Sequence, residues 1–428
     1  MNIKFRLTVM SFFQFFVWGA WLITIATYFF SSDLSKIDNP GAKFGAIFST
    51  LAISSLFMPA ITGIIADKWM NAEKLYGILH ILYGLILFYV PQVTDADTLY
   101  YVIFGAMICY MPTISLSNSI AYTILKRDGH DVVKVFPPIR VWGTIGFIVA
   151  MWVTNLSGSK ANANQFIIGG IAAVALGLYA FTLPKCPPPK QIAKNAGFVE
   201  QFGLQAFKLF GNYRMALFFL FSMLLGGALQ LTNMYGDTFL DDFKNVPEYG
   251  PESFVVKYST IIMSISQMSE TLFILTIPFF LKRFGIKLVM LFSMLAWVLR
   301  FGLFAYGNPE EGLWMIIVSC IVYGMAFDFF NISGSLFVET ETDASIRSSA
   351  QGLFMMMTNG VGAFLGSQVS GWAIDKYFTG PGGEKEWQDI WLSFAGYALI
   401  VAILFLILFR YKHRPGKQGD EGPVSLAH

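Results

Sequence analysis

Three clusters of polar side chains stand inside long apolar runs of this sequence, each at the spacing of one helical face. Gly226, Gln230, Asn233 and Asp237 follow one another at steps of four, three and four residues. Ser264, Gln267, Glu270 and Thr271 form a second cluster, and Tyr323, Phe327 and Asn331 a third, with Asp328 and Ser335 beside it. Such steps put side chains on one side of a helix. Carboxamides offer donors and acceptors together. They could bond helix to helix, or hold a neutral ligand rich in hydroxyls and ring nitrogens. The aromatic partners suit a flat ring or a sugar face. The acids are harder to place passively, because a carboxylate at mid-membrane costs about 2.5–3.5 kcal/mol on insertion scales. Protonation, a cationic partner or a water-filled cavity lowers that cost. A carboxyl group that changes protonation between two access states is the simplest proton-coupling device, and Glu270 and Asp328 are the candidates.

Arg140 opens two readings. It follows Pro137 and Pro138, which are expected to start its helix, so it could snorkel to water at the inner surface or face a ligand. Thr144 and Phe147, four and seven residues on, share its face. Arg300 lies within another apolar run, and its role is open on sequence alone. Gln14 is a possible cavity residue in an aromatic run from Phe12 to Trp21 that otherwise reads as packing. The histidines His80, His130, His413 and His428 are scattered, and Cys109, Cys186 and Cys320 form no CxxC or Cys/His cluster, so neither a metal site nor a cofactor is expected. No nucleophile elbow, HExxH or phosphate loop is present, which argues against an enzyme and against an ATP-driven pump.

The elements that must position these groups follow from composition. Of 428 residues, 55% are hydrophobic and 13% charged, against roughly a quarter charged in soluble domains. Lipid must solvate much of this surface. A net charge of +2 gives no basis for nucleic-acid binding. A span needs about 20 mainly apolar residues, and the sequence predicts spans at 7–30, 43–66, 75–91, 99–125, 138–157 and 165–184. A second set follows at 215–239, 258–281, 287–305, 313–338, 350–374 and 390–410. The run from Leu7 to Phe30 is too long for a signal-peptide core and reads as a retained span. With the N-terminus inside, inner segments hold 20 of the 29 Lys and Arg, and outer segments hold seven, from Lys36 to Lys385. The positive-inside rule then puts both termini in the cytoplasm and requires an even number of spans.

A basic inner segment, 185–214, opening with Pro187-Pro188-Pro189, separates six-helix halves at 1–184 and 215–410, with a tail at 411–428. Between the second and third spans stand Gly63, Asp67 and Lys68, in the GxxxD(R/K) pattern. This layout and loop motif resemble those of major facilitator transporters, an all-α integral membrane fold of about twelve helices. In that fold the loop motif has a structural role.

Longer stretches carry a narrower resemblance. Residues 136–147 (FPPIRVWGTIGF), 263–275 (MSISQMSETLFIL) and 323–335 (YGMAFDFFNISGS) resemble the bacterial nucleoside:proton symporters of the major facilitator superfamily. The resemblance implies a proton-coupled importer working by alternating access in the bacterial inner membrane. Its ligands would be nucleosides such as uridine, adenosine or inosine, alongside protons and the surrounding lipid. It implies a nucleoside site at Arg140, Thr144, Phe147, Gln230, Asn233, Gln267, Glu270, Tyr323 and Phe327, with Asp328 or Glu270 carrying the proton. A sugar or oligosaccharide:proton symporter of the same superfamily is the alternative. A non-transporting sensor is disfavoured by short outer loops and the lack of an output domain.

Overall fold

A computed structural model of the chain describes residues 2–188, 204–343 and 346–411. Part of the expected linker and nearly all of the expected tail lie outside these residues, as does the side chain of Asp67. Among the described residues the chain is helical, with twelve crossing helices, one for each span the sequence predicts. We number them α1 (Ile3–Gly19 continued by Ile25–Ser31), α2 (Pro40–Lys68), α3 (Ala72–Tyr89), α4 (Ala96–Arg127), α5 (Val132–Leu156) and α6 (Asn164–Ala180). Then come α7 (Tyr213–Asp242), α8 (259–284), α9 (286–306), α10 (Leu313–Glu341), α11 (Arg347–Tyr377) and α12 (Trp387–Leu408). An even number of crossings returns the chain to the side where α1 begins, and the charge bias makes that side the cytoplasm.

Several boundaries have local causes. α1 is broken at 20–24, where Trp21 and Thr24 make tight bonds to the carbonyls of Trp18 and Trp21, each at 3.2 Å. Such i→i−3 bonds tighten a helix and often mark a change of path. Thr24 Oγ1 donates to Gln165 Oε1 at 2.7 Å, which ties the break to α6. α5 begins at Val132, so Pro137 and Pro138 lie inside it and do not start it. Each proline removes a backbone donor there. Between α8 and α9 the connection narrows to Gly285, with φ 75° and ψ 169°. Only glycine adopts that conformation readily, which allows the two helices to meet with almost no loop. α11 runs through a π-helical turn, Met356–Gly362, and a Cβ at Gly226 of α7 would collide with the Thr358 carbonyl within it.

The chain divides into two compact units. One holds residues 2–38 and 50–188; the other holds 39–49, 204–343 and 346–411. The first has an apolar core that includes Leu7, Tyr76, Ile120, Ile124, Leu176 and Ala180. In the second, Ile277, Val289, Phe329 and Ile332 pack together where α8, α9 and α10 meet. The outward face of α8 is apolar as well: Leu272, Leu275 and Phe279 are well exposed, Leu275 by 76%. Such a stripe is stable only against lipid tails, and it leaves the opposite face of α8, with Glu270, for protein contacts.

Candidate functional site

In the first unit, Arg140, Thr144 and Phe147 lie along α5 where it packs closely on α1. The packing depends on glycine. A Cβ at Gly146 would run into the Phe12 backbone, and one at Gly19 would come within 2.6 Å of the Phe147 carbonyl oxygen. Arg140 is half-buried, and its guanidinium carbon lies 3.9 Å above the Phe15 ring, a cation–π contact. Phe147 is buried edge-on to Trp18, with ring centroids 6.2 Å apart. The Thr144 hydroxyl is half-buried and has no hydrogen-bond partner among the described residues.

Behind Trp18 lies a network that the sequence reading did not assemble. Gln14 is fully buried, and so is not a cavity residue. Its Nε2 donates to Thr113 Oγ1 at 2.9 Å, while its Oε1 accepts from Tyr76 at 2.6 Å and meets His80 Nε2 at 3.0 Å. Thr113 spends its own proton on the Tyr110 carbonyl at 2.6 Å, so it can only accept from Gln14. That fixes the amide orientation and makes His80 Nε2 a donor. Tyr110 donates to the Gln14 carbonyl at 2.7 Å and packs on Trp18 at 5.4 Å. The clue in the sequence was Tyr76, His80 and Tyr83 at helical spacing in an apolar run.

In the second unit the remaining candidates lie on α7, α8 and α10, three helices that each bond to Arg300 of α9. Gln230 and Asn233 are half-buried on α7, and neither carboxamide is bonded to a described residue. Gln267 and Glu270 are half-buried on α8; the Gln267 Oε1 is enclosed and has no partner among the described residues. α8 and α10 touch at Gly324, where a Cβ would strike the Ser269 backbone, and Ser269 Oγ donates to the Ile321 carbonyl. This contact sets the segment of α8 that bears Glu270 beside the segment of α10 that bears Tyr323 and Asp328. Asp328 is buried, with Oδ2 lacking a partner among the described residues. Tyr323 stacks on Phe327 with centroids 6.1 Å apart and planes 11° apart, and meets Trp297 edge-on.

Two further ionisable groups are sealed in this unit. Asp237 is completely buried and accepts a hydrogen bond from Thr260 at 2.7 Å, which joins α7 to α8. Arg300 on α9 is also completely buried. Its Nη1 donates to the Ser319 carbonyl at 2.7 Å and to Ser266 Oγ at 3.4 Å, and its Nε to Thr232 Oγ1 at 3.2 Å. Each partner is neutral, although burying a charge costs on the order of several kcal/mol. Of the loop motif, Gly63 has open space around its Cα and Lys68 is exposed at the end of α2.

The family model for the nucleoside H+ symporters matches residues 1–414. The chain belongs to that family. It is 53% identical to the xanthosine permease of Escherichia coli K12 over 97% of this chain and 98% of the permease. It is 51% identical to the nucleoside permease NupG of the same organism over 96% and 97% of the two chains. Crystal structures of the nucleoside transporter NupG superpose on it with TM-scores of 0.91 and 0.89, covering 96% of this chain and 100% of theirs at 51% identity. As a member of the nucleoside H+ symporter family, the protein is a multi-pass inner-membrane transporter of the major facilitator fold, not an enzyme.

Proposed function

We propose that this symporter imports nucleosides bound by polar and aromatic side chains of its membrane helices, with a buried carboxyl group taking up the proton. In this reading Arg140, Thr144, Phe147, Gln230, Asn233, Gln267, Glu270, Tyr323 and Phe327 bind the substrate, and Asp328 or Glu270 takes up the proton. Gly63, Asp67 and Lys68 serve the end of α2 structurally. The residue assignment rests on one observation above all. The enclosed Gln267 Oε1 has no partner among the described residues, although buried polar groups are otherwise almost always satisfied, and the half-buried carboxamides of Gln230 and Asn233 bond to no described residue either. Ribose hydroxyls and base edges would satisfy them, while the Tyr323–Phe327 stack offers a platform for a planar base.

Competition binding distinguishes this reading from a sugar symporter. Purified protein is challenged with xanthosine, inosine, adenosine, uridine and free hexoses, with xanthosine included because the relative above is named for it. Nucleosides should displace a labelled nucleoside while hexoses do not. Asn233→Ala and Gln230→Ala should each weaken binding about tenfold, the value of one or two lost hydrogen bonds. Displacement by hexoses alone, or unchanged affinity in both variants, would contradict the assignment.

A further inference from the structure

Arg300 needs an explanation that its hydrogen bonds do not supply. Four helices converge on its guanidinium: α9 carries it, and α7, α8 and α10 bond to it through Thr232, Ser266 and Ser319. Ser319 Oγ returns a bond to the Arg300 carbonyl at 2.9 Å. A neutral side chain could tie these helices together without the desolvation cost of a cation. Moreover, Nη2 has no partner among the described residues, so the donor set of arginine is not fully used. No carboxylate of a described residue lies within ion-pair distance of it.

What a cation offers here, and a neutral group does not, is attraction to an aromatic face. The guanidinium carbon lies 4.7 Å from the centroid of the Tyr323 ring and 5.0 Å from that of Phe304. Cation–π attraction strengthens when both partners are desolvated, and here both are buried. Tyr323 in turn stacks on Phe327, stands edge-on to Trp297, and bonds its hydroxyl to no described residue. Its ring is thus gripped while its hydroxyl remains unspent.

We infer that Arg300 is a positioning residue for substrate recognition: its buried cation fixes the Tyr323 ring, and through it the Tyr323–Phe327 platform that receives the nucleoside base. This rests on the reading that Tyr323 contacts substrate. Arg300 acts through Tyr323 and touches no ligand itself. The role is one of specificity and affinity, distinct from proton uptake by the acids.

A double-mutant cycle tests it, with affinity for labelled nucleoside as the readout on purified, monodisperse protein. Arg300→Met keeps the volume and removes the charge, while Arg300→Lys keeps a charge and serves as the conservative variant if Arg300→Met fails to fold. With Tyr323 present, Arg300→Met should weaken binding about tenfold, and Arg300→Lys should recover most of that loss. In a Tyr323→Ala background, already weakened, either Arg300 variant should change affinity less than twofold. Losses that multiply in the double variant would overturn the inference while leaving Tyr323 in the site. A Tyr323→Ala variant with unchanged affinity would remove Tyr323 from the site, and the inference with it.

Discussion

Asp375 places both carboxylate oxygens on the first turn of α2, accepting from the Gly41 N–H at 2.8 Å and the Ala42 N–H at 2.6 Å. The first turn of a helix has unbonded N–H groups and the positive end of the helix dipole, so a carboxylate is well suited to it. Glycines allow the close approach: a Cβ at Gly371 would strike the Gly41 carbonyl, and one at Gly45 the Ser367 carbonyl. This seam between α2 and α11 explains why residues 39–49 pack with the second unit.

Removing that cap should loosen the start of α2 without unfolding the protein. Asp375→Ala is expected to cost about 0.5–2 kcal/mol, the range for lost N-caps. Amide hydrogen exchange followed by mass spectrometry would report it as faster exchange at residues 41–46. Asp375→Asn should lie between the variant and the parent, because a carboxamide still offers one acceptor.

The Gln14 network makes a different prediction, about stability. Gln14→Ala would leave Tyr76, His80 and Thr113 short of a partner in a fully buried site. Each orphaned polar group costs about 1–3 kcal/mol, so the melting temperature in detergent should fall by several degrees. His80→Phe should do less harm: it removes the ring nitrogens along with their need for partners, and only one of the two bonds at Gln14 Oε1 is lost. An unchanged melting temperature in Gln14→Ala would argue against the network as a stabilising element.

Much of this architecture was legible in the sequence, because lipid imposes a simple rule: apolar runs of spanning length become helices. The twelve spans followed from that rule, and helical spacing grouped the polar faces of α7, α8 and α10. What escaped the sequence depends on partners far along the chain. The break in α1 is tied to Gln165, 141 positions away from Thr24. Gln14 finds its partners 62 to 99 positions away, which no periodicity reveals. The early start of α5 was hidden because prolines usually mark a helix beginning, whereas here they sit within it. Arg300 was visible as an anomaly, but only the ring beneath its guanidinium gives the charge a purpose.

The central claim is that nucleoside accumulation is driven by protons taken up at Asp328 or Glu270. It is tested most directly by uptake of labelled nucleoside into proteoliposomes, with an inward proton gradient and again after a protonophore collapses it. The parent protein should accumulate nucleoside only while the gradient lasts. Glu270→Gln and Asp328→Asn should each abolish accumulation, with at least one still binding or exchanging substrate. Accumulation that survives the protonophore, or that matches the parent in both amide variants, would contradict the account.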